Sequence, residues 1–160
     1  MRRSKYSYKN LLPMFRKAAA LRNEMLDVGF TDNGGAIHSA ERILDILGMR
    51  LKYPGLSHVN NLKNYSKAEF SPAAYKIHRR GRKVLIEHVS PRRALTRVAI
   101  KKVKDHATDK ELLAFLKRNY RLVLLTTHET ALLNKQNRIR IDRNRLKKAR
   151  IRIMRYRSPK

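Results

Sequence analysis

The sequence predicts a mixed α+β fold: a small sheet of few strands packed with several helices, ending in a basic C-terminal segment. Three observations carry this. Val84-Leu85-Ile86-Glu87-His88-Val89 and Tyr120 to Thr126 (YRLVLLT) are short, apolar and β-branched, as strands are. Apolar residues elsewhere recur at helical spacing. Two Thr-x-x-Glu patterns, Thr108 to Glu111 and Thr126 to Glu129, are capping boxes that mark helix starts. A chain of 160 residues suits one compact domain with an arm or tail. The expected division is a basic arm over 1–7, a compact domain over 8–136 and a basic segment over 137–160.

The elements follow in chain order. Leu11, Leu12, Met14, Phe15, Ala18, Ala19, Leu21, Met25, Leu26 and Val28 predict a helix over 8–28 with one buried face. Gly29 is its expected stop, and Asp32-Asn33-Gly34-Gly35 a turn. Ile37, Ala40, Ile43, Leu44, Ile46 and Leu47 define a second amphipathic helix, with Gly48 as its expected end. Residues 50–73 carry Pro, Gly, Asn and Ser at loop density, with one short helix expected near 57–65. Arg79-Arg80-Gly81-Arg82 reads as a basic turn between two extended pieces. Pro91 suits the first position of a helix through Leu95, Val98, Ala99 and Val103. The capping boxes then open helices over 109–118 and through Leu132 and Leu133. Arg138-Ile-Arg-Ile and Arg150-Ile-Arg-Ile alternate like strands, and the residues between, 143–149, fit a helix.

Charge dominates the composition. There are 39 Lys and Arg against 12 Asp and Glu, a formal charge of +27. Like charge at this density repels itself unless a polyanion offsets it, so nucleic acid is the expected partner. An anionic membrane surface and the role of a secreted cationic toxin are the rivals. The basic residues fall in three zones, 1–23, 74–104 and 138–160, in which Glu87 and Asp142 are the only acids. Candidate phosphate contacts are Arg79, Arg80, Arg82, Lys83, Arg92, Arg93, Arg138, Arg140, Arg143, Arg145, Lys147, Lys148, Arg150 and Arg152. Tyr6 and Tyr8 in the N-terminal segment could stack on unpaired bases.

The absence of cysteine removes disulfides, thiolate zinc sites and thiol nucleophiles. No secretory leader pattern opens the chain, and its apolar runs are too short to span a bilayer. The expected location is therefore the cytoplasm of a bacterial or phage-infected cell, with no membrane partner.

Two strand ends carry chemistry. Glu87-His88-x-x-Pro91 lies where the first strand gives way to a helix, and His128-Glu129 where the second does. Parallel neighbouring strands would bring these four residues to one sheet edge. Glu87, Glu129 and His128 could then hold Mg²⁺ or Mn²⁺, and His88 could act as general base on water, with Glu87 and Glu129 completing the catalytic set. The bland alternatives are a helix cap for Glu129, an arginine partner for Glu87 and a buried, satisfied imidazole for His88.

The run IEHVSPRRAL resembles the EHxxP segment of a group of uncharacterised bacterial and phage proteins. LVLLTTHETALL is similar to a later segment of theirs, an apolar strand followed by an acid and a leucine. The resemblance spans 84–133, and that group has no settled function. H-x-x-P is also similar to part of the His-Me finger (HNH) nuclease motif, which implies that His88 activates water and Asn134 orients it or binds metal nearby.

The expected function is nucleic-acid binding, as a small metal-dependent endonuclease hydrolysing phosphodiesters. The alternatives are a non-catalytic binder (architectural, packaging or ribosome-associated), which needs no cofactor, and an inhibitor that docks on a nucleoprotein complex.

Overall fold

The computed structural model describes residues 6–30 and 34–154. In chain order it contains α1 (Tyr8–Asp27), α2 (Gly34–Lys52), a 3₁₀ turn (Val59–Asn64), α3 (Pro72–Arg79), β1 (Leu85–His88), α4 (Arg92–Lys104), α5 (Asp109–Asn119), β2 (Leu122–Leu125), α6 (Thr127–Asn134) and α7 (Arg145–Lys148). This is the small α+β fold expected from the sequence. Most of the N-terminal arm and the first two residues of the Asp32-Asn33-Gly34-Gly35 turn lie outside the described residues.

The chain forms two compact units, each made of two separate stretches: 1–54 with 92–119, and 55–91 with 120–160. Among its described residues the first holds the helices α1, α2, α4 and α5. α1 buries Leu11, Leu12, Phe15 and Ala19, whereas Leu21, Leu26 and Val28 stand exposed. Helical spacing identifies residues that share a face. It does not say how far along the helix a partner covers that face. α2 runs past Gly48, which is buried inside the helix, to Lys52. In α5 the Thr108 box is complete: Glu111 accepts from the Thr108 N–H, and the Thr108 hydroxyl accepts from the Glu111 N–H.

Four helices end on the same device. The residue after the last turn takes a left-handed backbone, and the next N–H bonds back five residues. Gly29 and Gly81 fill this position after α1 and α3, with φ of 87° and 69°. His106 and Arg150 fill it after α4 and α7, with φ of 60° and 56°. Left-handed backbone costs a side-chain-bearing residue roughly 1 kcal/mol that glycine avoids. His106→Gly is therefore expected to stabilise the protein by up to about 1 kcal/mol. A urea titration checks this, and an unchanged or lower midpoint would refute it.

The second unit is built around β1 and β2. They pair antiparallel, with Leu85 opposite Leu125 and His88 opposite Leu122. The parallel pairing that would gather both strand ends is therefore not formed. The free edge of β2 takes 69–71: Leu124 N–H bonds to Glu69 O and Ser71 N–H to Leu124 O. Met154 N–H extends the ladder by bonding to Phe70 O. All four residues of β2 are buried, as a strand flanked on both edges and covered by helices requires. The piece before Arg79-Arg80-Gly81-Arg82 is not extended; it is α3. Ser71 accepts from Ala74 N–H as its N-cap, and Pro72 occupies its first position. Neither Arg138-Ile-Arg-Ile nor Arg150-Ile-Arg-Ile forms a strand. Instead Leu146, Ala149 and Ile151 join Val89, Val123, Leu125 and Leu133 in the core of this unit.

Candidate nucleic-acid interface

The two strand-end pairs now have places. β1 and β2 run in opposite directions, so His88 and Leu125 lie at opposite ends of the ladder. Glu129 is occupied as a cap. Its carboxylate accepts from Thr126 N–H at 2.9 Å and from the Ser71 hydroxyl at 2.6 Å, and the Thr126 hydroxyl accepts from Glu129 N–H at 3.1 Å. One carboxylate thereby ties the start of α6 to the start of α3. His128 sits exposed on the first turn of α6, and Asn134 is exposed at its end. His88 is half-buried with its ring set edge-on against Tyr120, 5.5 Å between centroids. Among the described residues, no three Asp, Glu or His side chains come together in a way that could hold a metal ion.

Glu87 is the chemically unusual member. Burial pushes its carboxyl above the ordinary glutamate range, against the opposing pull of Thr130, His88, Arg145 and Arg138. A carboxyl with a raised folded pKa binds its proton more tightly in the folded chain than in the unfolded one. Its contribution to stability is present below the ordinary glutamate pKa and is lost as pH rises through the raised value. Glu87→Gln is thus expected to stabilise the protein at pH 7 relative to wild type, with the gap closing toward pH 4. Thermal melts across that range test this; a gap that widens on acidification would contradict it.

The basic residues divide sharply. Arg145 is only 3% exposed and is no phosphate contact. Its Nη1 donates to the carbonyls of His88 (3.2 Å) and Val89 (3.0 Å), and its Nη2 to Leu133 (3.0 Å). Arg92 and Arg93 are also committed internally, for both bond to Glu41, which is buried on α2. Lys148 pairs with Asp142 at 2.6 Å. A charge run does not reveal which members have acidic or carbonyl partners distant in sequence. The other ten candidates are exposed: Arg79, Arg80, Arg82 and Lys83 around the turn after α3, and Arg138, Arg140, Arg143, Lys147, Arg150 and Arg152 toward the C-terminus. Among the described residues none of these ten holds an ion pair with a carboxylate.

All ten lie in the second unit, whose 55–91 and 120–160 stretches contain only four acids: Glu69, Glu87, Glu129 and Asp142. Glu69 takes Arg121 in a two-pronged pair at 2.7 and 2.9 Å. Asp142 holds Lys148 and the Asn144 N–H. Glu129 caps, and Glu87 is half-buried. Glu87 attracts Arg138 without forming an ion pair with it, and the other three carboxylates are taken up internally. Two concave surfaces lie among them. One, lined by Lys63, His78, Arg82 and Lys83, encloses about 470 Å³. The other, formed by α7 and the chain that follows, encloses about 510 Å³. The helical start of α3, signalled by Ser71-Pro72, and the apolar floor of the α7 groove are features the sequence reading passed over.

Comparison with protein-family models, with curated proteins and with solved structures gives no match.

Proposed function

We propose that the chain is a non-catalytic nucleic-acid binder that grips phosphates through the second unit. One observation carries the reading: ten exposed Lys and Arg side chains without ion pairs stand on a unit whose four carboxylates are all engaged or half-buried. Such a surface attracts a polyanion and releases its condensed counterions on contact. Arginine predominates among the ten, and its planar fork suits bidentate contact with phosphate oxygens. Among the described residues no helix is long and apolar enough to cross a membrane.

The hydrolytic reading has less support. It needs Glu87, His88, His128 and Glu129 at one place, and the antiparallel strands and the capping role of Glu129 work against that. The deciding experiment offers labelled duplex DNA and structured RNA to wild type and to His88→Ala, in Mg²⁺ or Mn²⁺, with and without chelator. The expected result is salt-sensitive binding by both proteins and intact substrate throughout. No binding at low salt would end the nucleic-acid reading. Metal-dependent cleavage lost in His88→Ala would replace the binder with a nuclease.

A further inference from the structure

The groove beside α7 differs from a flat phosphate-binding surface in having an apolar floor. Leu146, Ile151 and Ile153 line it together with Arg143, Lys147, Arg150, Arg152 and the Glu69-bound Arg121. Leu146 and Ile151 are buried members of the core, so the floor is rigidly backed. The groove is shallow and open to solvent, with room of about 510 Å³. Phosphates alone have no use for an aliphatic floor. A base removed from its stack does, because it presents an apolar face together with a charged backbone.

Arg150 sharpens the point. It occupies the left-handed position that ends α7, with φ of 56°, while Ile151 N–H bonds to Leu146 O. The same turn after α1 and α3 uses glycine, the residue without a steric cost there, and after α4 it uses His106. At Arg150 the chain accepts that cost and gains a guanidinium at the rim of the groove.

We propose that this groove takes an unpaired nucleotide of a single strand. Its base would lie against half-buried Ile153, backed by Ile151 and Leu146, under the Arg150 guanidinium, and the flanking phosphates would sit on Arg143, Lys147 and Arg152. The proposal rests on the nucleic-acid reading above and adds a preference for single strands over duplex.

The test compares wild type, Arg150→Gly, Arg150→Lys and His106→Gly. Each is titrated with oligo(dT), oligo(U) and a duplex of matched charge at one salt concentration, and each is melted. Arg150→Gly is expected to melt higher than wild type yet bind single strands about tenfold more weakly, with duplex affinity changed about twofold or less. Arg150→Lys keeps the charge without the plane and should recover only part of the loss. His106→Gly should melt higher with no change in binding, which separates relief of strain from loss of contact. The two oligonucleotides show whether the sugar is read as well. An equal loss for duplex and single strand, or no loss for either, would overturn the groove and leave the binding reading standing. Failure of wild type to bind any of the three would remove both.

Discussion

Replacing Arg145 by alanine is expected to lower folding stability by on the order of 3–5 kcal/mol, since each buried polar group left unsatisfied costs about 1–3 kcal/mol. The side chain is 3% exposed and joins three pieces of the second unit: the end of β1 at His88, the following Val89, and α6 at Leu133. Its removal orphans carbonyls at each of these points and leaves a cavity beside Leu146 and Leu133. Lysine should not rescue it, because a single ammonium cannot reproduce a planar fork aimed at separate acceptors. A typical domain is stable by only about 5–15 kcal/mol, so a shift of this size is visible as a large drop in urea midpoint. Arg143→Ala, two residues away and exposed, should leave the midpoint nearly unchanged. Similar midpoints for the two variants would mean that Arg145 is not the tie described here.

The affinity for duplex DNA is expected to fall by about 10³–10⁵ between 50 and 200 mM salt, the range for six to ten phosphate contacts. The estimate follows from the ten exposed, unpaired cations of the second unit. The slope of log affinity against log salt should lose roughly one unit for each contact removed. Alanine at Arg79, Arg80, Arg82 and Lys83 together should therefore flatten it measurably. Alanine at Arg92 and Arg93 should not, because those guanidinium groups are held by Glu41. The double variant will lose stability instead, since it leaves the Glu41 carboxylate buried without its partners. A salt-independent affinity, or equal flattening by both variants, would contradict the division of the basic residues drawn from the fold.

Several local signals in the sequence matched the structure because their cause is local, although α2 continues through Gly48. The Thr108 and Thr126 capping boxes, the Gly29 stop and the apolar character of β1 and β2 depend on residues within a turn of one another. Ser71-Pro72 carried an equally local helix-start signal for α3, obscured by the loop-like composition around it. Strand direction is different. A short connection forces antiparallel pairing and a helical crossover permits parallel, but α4 and α5 between β1 and β2 leave both possible. Only the packed sheet decides, and with it whether Glu87, His88, His128 and Glu129 meet.

The sequence by itself determined the mixed fold class, most helix boundaries and the size of the charge excess. The tertiary structure alone decided which of these cations are held by internal partners and which stand in solvent without an ion pair. Buried Arg145 requires acceptors, and Arg92 and Arg93 answer the buried carboxylate of Glu41; all of these partners lie on segments distant in sequence. No pattern read along the chain could have told these three apart from the ten that hold no ion pair among the described residues.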